Sequence, residues 1–188
     1  MMARAAVLAA ALAVSSAGAA PLGVQELFDS LAHAKPTRAA FHEKKSIALL
    51  DKPVESSGEL VFTPPARLEK RTTVPRAESV VVDGDLVTLD RGGRKQTVRL
   101  REHPAIGVLV ESIRATLAGD LASLTKTYST ALAGDSASWR LTLRPLDPSL
   151  GTLVERLEIA GSQAQVRTVE IFQADGDRSV MTLTPLAK

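Results

Sequence analysis

Residues 79–100 read SVVVDGDLVTLDRGGRKQTVRL, and this stretch points most directly to the fold. Ser79–Asp83 and Leu86–Leu89 are short aliphatic, β-branched runs on either side of Gly84-Asp85. Asp-Gly supplies the positive φ angles of a two-residue hairpin turn. Gly92-Gly93 then turns the chain into Gln96–Leu100. Three strands joined by tight turns predict an antiparallel meander. The same chemistry recurs near the C-terminus, where Val166–Gln173 and Ser179–Thr184 flank Asp175-Gly176-Asp177.

Upstream, Gly58–Thr63 (GELVFT) points Leu60 and Phe62 one way, and Pro64-Pro65 removes two ladder donors, so the strand ends or bends there. A further strand is expected from Arg67 to near Pro75. Ala39–Leu49 alternates Phe41, Ile47 and Leu49 on one face, interrupted by Glu43 and Lys45. Downstream, Ser138–Arg144 sets Trp139, Leu141 and Leu143 in phase, and Glu155–Ala160 does so with Leu157 and Ile159. Two segments have a helical period instead. Val24, Leu27, Phe28 and Leu31 form one stripe within residues 24–34. Ile106, Leu109, Val110, Ile113 and Leu117 form another, with Gly119 as the stop. Leu121–Tyr128 adds a helical turn or two before Gly134-Asp135. Nine or ten strands and two or three helices make this a mainly β (α+β) chain, a curved antiparallel sheet or open barrel interrupted by helices, not a series of βαβ units. Residues 20–188 contain no internal repeat or low-complexity linker and are expected to form one domain.

The chain has 188 residues, 45% hydrophobic and 23% charged, with 23 Lys+Arg against 21 Asp+Glu. That balance fits a packed globular domain and is too near neutral for an electrostatic nucleic-acid binder. With no Cys and only His33, His42 and His103, thiolate chemistry is excluded and a protein-built metal site is not expected. The start, Met1-Met2-Ala3-Arg4 followed by an apolar run from Ala5 to Val14 and small residues to Ala20, has the layout of a secretory leader. Residues 1–19 are expected to be removed after Ala19, placing the domain in the periplasm. No other run approaches the roughly 20 apolar residues of a membrane span.

No nucleophile elbow, phosphate loop, dinucleotide fingerprint or HExxH pattern is present, so neither catalysis nor a cofactor is expected. Asp83/Asp85 and Asp175/Asp177 read as turn chemistry and solvated charge. Lys44-Lys45 and Lys70-Arg71 have the charge to contact a lipid headgroup or an anionic partner, but such pairs on strands are more often a solvated edge, and they are read so here. Glu43 falls on the face of Phe41 and Ile47. A buried carboxylate there needs a cationic partner, or that face lines a wet cavity. Six aromatic residues are few for a sheet this large. An aliphatic hollow under a helical lid is the expected consequence, and hollows of that kind take acyl chains. Its expected lining is Leu60, Phe62, Val80, Val82, Leu89, Ile106, Leu109 and Ile113.

The leader, the first helix, Phe41-x-Glu43, Ser57-Gly58-Glu59-Leu60-x-Phe62 followed by Pro65, Pro75 and the Val81-x-Asp83-Gly84 turn together resemble the outer-membrane lipoprotein carrier family (LolA-like). Residues 57–75 and Trp139-x-Leu141-x-Leu143-x-Pro145 are similar to a divergent branch of it. The resemblance implies an unclosed β-barrel capped by helices, whose apolar cavity shields acyl chains of a lipidated protein, or of another amphiphile such as a glycolipid. It implies a monomer that takes cargo from an inner-membrane donor and passes it to an outer-membrane acceptor. A non-catalytic envelope sensor or scaffold on the same fold is the alternative. The family's lid-locking arginine, which precedes the proline corresponding to Pro65, is replaced here by Pro64. Arg67, three residues on, is the candidate substitute, with Glu43 as a second polar contact.

Overall fold

The computed structural model describes residues 21–34 and 37–186, so the expected leader and its cleavage site lie outside the described residues. Helix α1 (Val24–Ala32) precedes six strands: β1 (Thr37–Ser46), β2 (Val54–Thr63), β3 (Arg67–Val74), β4 (Glu78–Asp83), β5 (Leu86–Arg91) and β6 (Arg94–Arg99). A 3-10 turn at Leu100–Glu102 leads into α2 (Pro104–Ala118) and α3 (Leu121–Thr127). Strands β7 (Tyr128–Gly134) and β8 (Trp139–Pro145), the single turn α4 (Pro148–Gly151), β9 (Val154–Ser162), β10 (Gln165–Gln173) and β11 (Arg178–Pro185) complete the chain.

All eleven strands form one antiparallel sheet in the order β6-β5-β4-β3-β2-β1-β11-β10-β9-β8-β7. Two meanders therefore meet at the β1–β11 ladder. Strands β6 and β7 are the two edges and do not pair with each other, so the barrel stays open. The chain leaves one edge and re-enters at the other, and the connection between them carries α2 and α3.

The hairpins expected from Asp-Gly and Gly-Gly are present, with Gly84, Gly92 and Gly93 at positive φ. The sequence reading missed β7: it carries the helical segment to Tyr128 and assigns no strand between there and Gly134-Asp135. Tyr128, Thr130 and Leu132 do point inward on alternate positions, but Ala131 and Ala133 between them carry little strand signal, and Ala and Leu are strong helix formers. It also missed α4, one turn capped by Asp147, whose carboxylate accepts from the Ser149 backbone N–H at 2.8 Å. The edge reading of the lysine pairs is overturned as well. Strands β1 and β3 are interior, with Lys44 and Arg71 exposed outward and Lys45 and Lys70 turned to the concave side.

Gly119 closes α2 in the left-handed conformation (φ 70°). A Cβ there would fall 2.4 Å from the Phe28 carbonyl oxygen and the Ala32 nitrogen, so α1 and α2 pack backbone to backbone. At the other end of α2, Asp85 holds the entry turn. Its carbonyl accepts from the Leu100 N–H at 2.8 Å and its carboxylate from the Arg101 N–H at 3.1 Å. Asp85 is thus a fastening point and not only a solvated turn charge. Asp177 acts alike, accepting from the Ala48 N–H at 2.9 Å and thereby tying the β1–β2 connection to the β10–β11 hairpin.

Candidate functional site

A cavity of about 270 Å³ lies between α2 and the concave face of the sheet. From α2 come Ile106, Leu109, Val110, Ile113, Thr116 and Leu117. Strands β2, β3 and β4 supply Leu60, Leu68, Val80 and Val82, and β9, β10 and β11 supply Ile159, Val166, Val169, Ile171, Met181 and Leu183. The hydroxyl of buried Thr116 is satisfied within α2 by the Ser112 carbonyl at 2.7 Å, so the wall there is effectively apolar. No aromatic residue lines the space. Phe28, Tyr128 and Trp139 belong to one core cluster, and Phe41 and Phe62 to another. Phe172 carries the guanidinium of Arg156 3.5 Å from its ring centre, with Arg178 at 4.9 Å.

Six of the eight residues expected in the lining are there: Leu60, Val80, Val82, Ile106, Leu109 and Ile113. Ile106 is 52% exposed and marks the rim. Phe62 is buried but does not line the cavity, being packed among Ala39, Phe41, Leu68 and their neighbours. Leu89 is on the correct face, directly opposite Val80, but one strand too far out, where it lines a shallow hollow with Arg91, Arg94 and Gln96. The sequence reading missed the β9–β11 wall. A register shift between Val166 and Thr168 explains part of this, because Val166, Val169 and Ile171 all line the cavity without obeying strict alternation.

One end of the cavity is polar. Glu43 accepts from Lys70 Nζ, from Ser179 Oγ at 2.7 Å and from Ser56 Oγ at 3.3 Å. Burial acts to raise its pKa, but the Lys70 ammonium and the two hydroxyls outweigh that and hold the carboxyl below its ordinary value. Glu43 therefore has the cationic partner that a buried carboxylate needs, and it also lines the cavity. Lys70 reaches it from β3 across β2, with its Nζ 4.9 Å from the centre of the Phe41 ring. The β2 residue opposite Phe41 is Gly58. A Cβ there would fall 1.9 Å from the Arg71 carbonyl oxygen, so only glycine fits this irregular part of the ladder.

Arg67 does not face α2. It is exposed, ion-paired with Asp83 at 3.1 Å and near Glu69 at 3.9 Å, on the outer side of β3. It is not a substitute for the lid-locking arginine. The helix is held instead by Asp85, Gly119 and Tyr128, whose hydroxyl donates to the Val108 carbonyl at 3.1 Å. Among the described residues, no group of three or more His, Asp or Glu is placed to hold a metal ion, and no helix is long and apolar enough to cross a membrane.

Several solved structures are similar to this chain at low sequence identity. The crystal structure of the LolA superfamily protein NE2245 from Nitrosomonas europaea has a TM-score of 0.49 at 10% identity, covering 89% of this chain and 94% of that one. A putative outer membrane lipoprotein-sorting protein domain from Vibrio parahaemolyticus gives 0.48 at 10% identity, covering 87% and 91%. MucB, solved in complex with MucA, gives 0.44 at 15% identity, covering 87% of this chain and 55% of that one. A search of curated proteins finds no match. The family model described as outer membrane lipoprotein carrier protein LolA-like matches residues 16–188, and the chain belongs to that family.

Proposed function

We propose that this protein is a non-catalytic periplasmic carrier, which holds the acyl part of a lipidated protein or other amphiphile in the cavity beneath α2 and ferries it toward the outer membrane. A leader over residues 1–19 would deliver it to that compartment. The observation that carries the reading is the aliphatic lining, in which α2 and two separate arms of the sheet face a space that none of the six aromatic side chains occupies. Each methylene moved from water into such a space contributes about 0.8 kcal/mol. A chain of ordinary acyl length thus offsets the loss of translational and rotational freedom on association.

Titration of the full chain with a fluorescent fatty-acyl probe tests the proposal. Saturable binding is expected, weakened at least about tenfold by Leu109→Asp, because a carboxylate in the wall must be desolvated against the chain. Absence of saturable binding, or binding indifferent to Leu109→Asp, would overturn it. A transfer assay to acceptor vesicles separates a carrier from a scaffold, since a scaffold keeps its partner and releases nothing to the membrane.

A further inference from the structure

Beside the acyl cavity lies a second, polar groove of about 610 Å³. Glu43 and Lys70 line both spaces, so the ion pair between them forms the boundary. The concave face therefore changes character along the strands. Leu60 and Leu68 give way to Glu43 and Lys70, and these to Lys45, Arg76, Glu78 and Arg91. An apolar hollow adjoining a charged groove across that ion pair has the polarity profile of an amphiphile.

The charge balance of the groove selects the sign of the headgroup. Four cations, Lys45, Lys70, Arg76 and Arg91, face two carboxylates, Glu43 and Glu78. Glu78 engages Arg91 at 2.8 Å, Glu43 engages Lys70, and Asp177 lies 3.8 Å from Lys45. Arg76 is exposed and has no ion-pair partner among the described residues. The groove thus retains an uncompensated guanidinium whose fork of donors suits an oxyanion.

We propose that this groove binds the anionic headgroup of the amphiphile whose chain occupies the cavity, with Arg76 as its main contact and Lys45 and Lys70 as flanking charges. The proposal rests on the carrier reading and adds the chemical class of the cargo: a single molecule with an acyl chain and an oxyanion head such as a phosphate monoester. The Glu43–Lys70 pair marks the junction between chain and head.

The test compares dodecyl phosphate with uncharged dodecanoyl glycerol, each displacing a bound fluorescent acyl probe from the full chain, with inorganic phosphate alone as a third arm. Dodecyl phosphate is expected to bind about tenfold more tightly than the neutral compound, the effect of one added charge-assisted contact. That preference should fall to about twofold or less in an Arg76→Gln/Lys45→Gln variant whose affinity for the neutral compound is unchanged, which also shows that the variant is folded. Equal binding of both amphiphiles by the unsubstituted protein, or an undiminished preference in the variant, would overturn the headgroup site and leave the acyl cavity standing. Failure of both amphiphiles to displace the probe would overturn both. Inorganic phosphate competing as well as dodecyl phosphate would show a site for the free anion and overturn the assignment to a headgroup.

Discussion

The two arms of the sheet are built from similar strands but filled differently. In the C-terminal arm, α1 lays Leu27, Phe28 and Leu31 against Tyr128, Trp139, Leu141, Leu143 and Leu157, all 2% exposed or less. In the N-terminal arm the buried set is Ala39, Phe41, Leu60, Phe62, Leu68, Val82, Leu100 and Leu183, with smaller side chains and exposures reaching 9%. Ile113 on α2 packs against both sets. Sheet geometry alone therefore does not make a hollow. The C-terminal arm has α1 and three aromatic rings to fill it, while α2 is shared between the two clusters, and the space that remains lies under α2 between β2–β4 on one side and β9–β11 on the other.

The contrast predicts where truncation is costly. Trp139→Ala, in the filled core under α1, should destabilise the protein by about 3–5 kcal/mol and Leu157→Ala by about 2–5 kcal/mol, read from urea unfolding midpoints. Leu109→Ala, which only enlarges a space already present, should cost about 1 kcal/mol while altering acyl binding more than either. Equal losses for Leu109 and Leu157 would abolish the distinction between the filled core and the cavity wall.

A smaller effect is expected at the polar end of the hollow. Glu43 and Lys70 are 18% and 27% exposed at their side chains, and Glu43→Gln leaves the lysine without its charge partner, costing about 1–2 kcal/mol near neutral pH. The Glu43 carboxyl has a lower pKa folded than unfolded. Its contribution is therefore present above the ordinary carboxylate range and disappears as pH falls through the folded value. Urea midpoints across the acid range should converge for the two proteins; a constant gap down to low pH would contradict this account.

The smallest effect belongs to Tyr128, the one tyrosine in the chain. Burial pushes its phenol up to about 12, partly opposed by a hydrogen bond with Ser112. Ultraviolet titration at alkaline pH reads this group alone. Because the folded value is raised, stability should fall as pH climbs from the ordinary tyrosine range through about 12. Tyr128→Phe should cost about 1 kcal/mol through the lost bond to Val108 and should abolish the titration.

Much of the architecture was legible because turn chemistry is local. Asp83-Gly84 and Gly92-Gly93 announce their hairpins, and the stripe from Ile106 to Leu117 announces the covering helix. What stayed hidden depends on distance along the sheet. Leu89 has the right phase, but phase does not say how far a strand lies from the helix. Lys70 reads as a solvated charge, since nothing local reveals Glu43 waiting two strands away. Arg67 was assigned to the lid through family likeness, and its outward position follows from Leu68 and Lys70 taking the inner face. The register shift after Val166 breaks the alternation on which reading a strand depends.

The fastening of α2 at both of its ends has a mechanical corollary. A rod pinned by Asp85 at one tip and jammed against α1 at Gly119 at the other cannot swing aside like a hinged door. The exposed rim of the hollow lies instead along the flank of the rod, where half-exposed Ile106 stands.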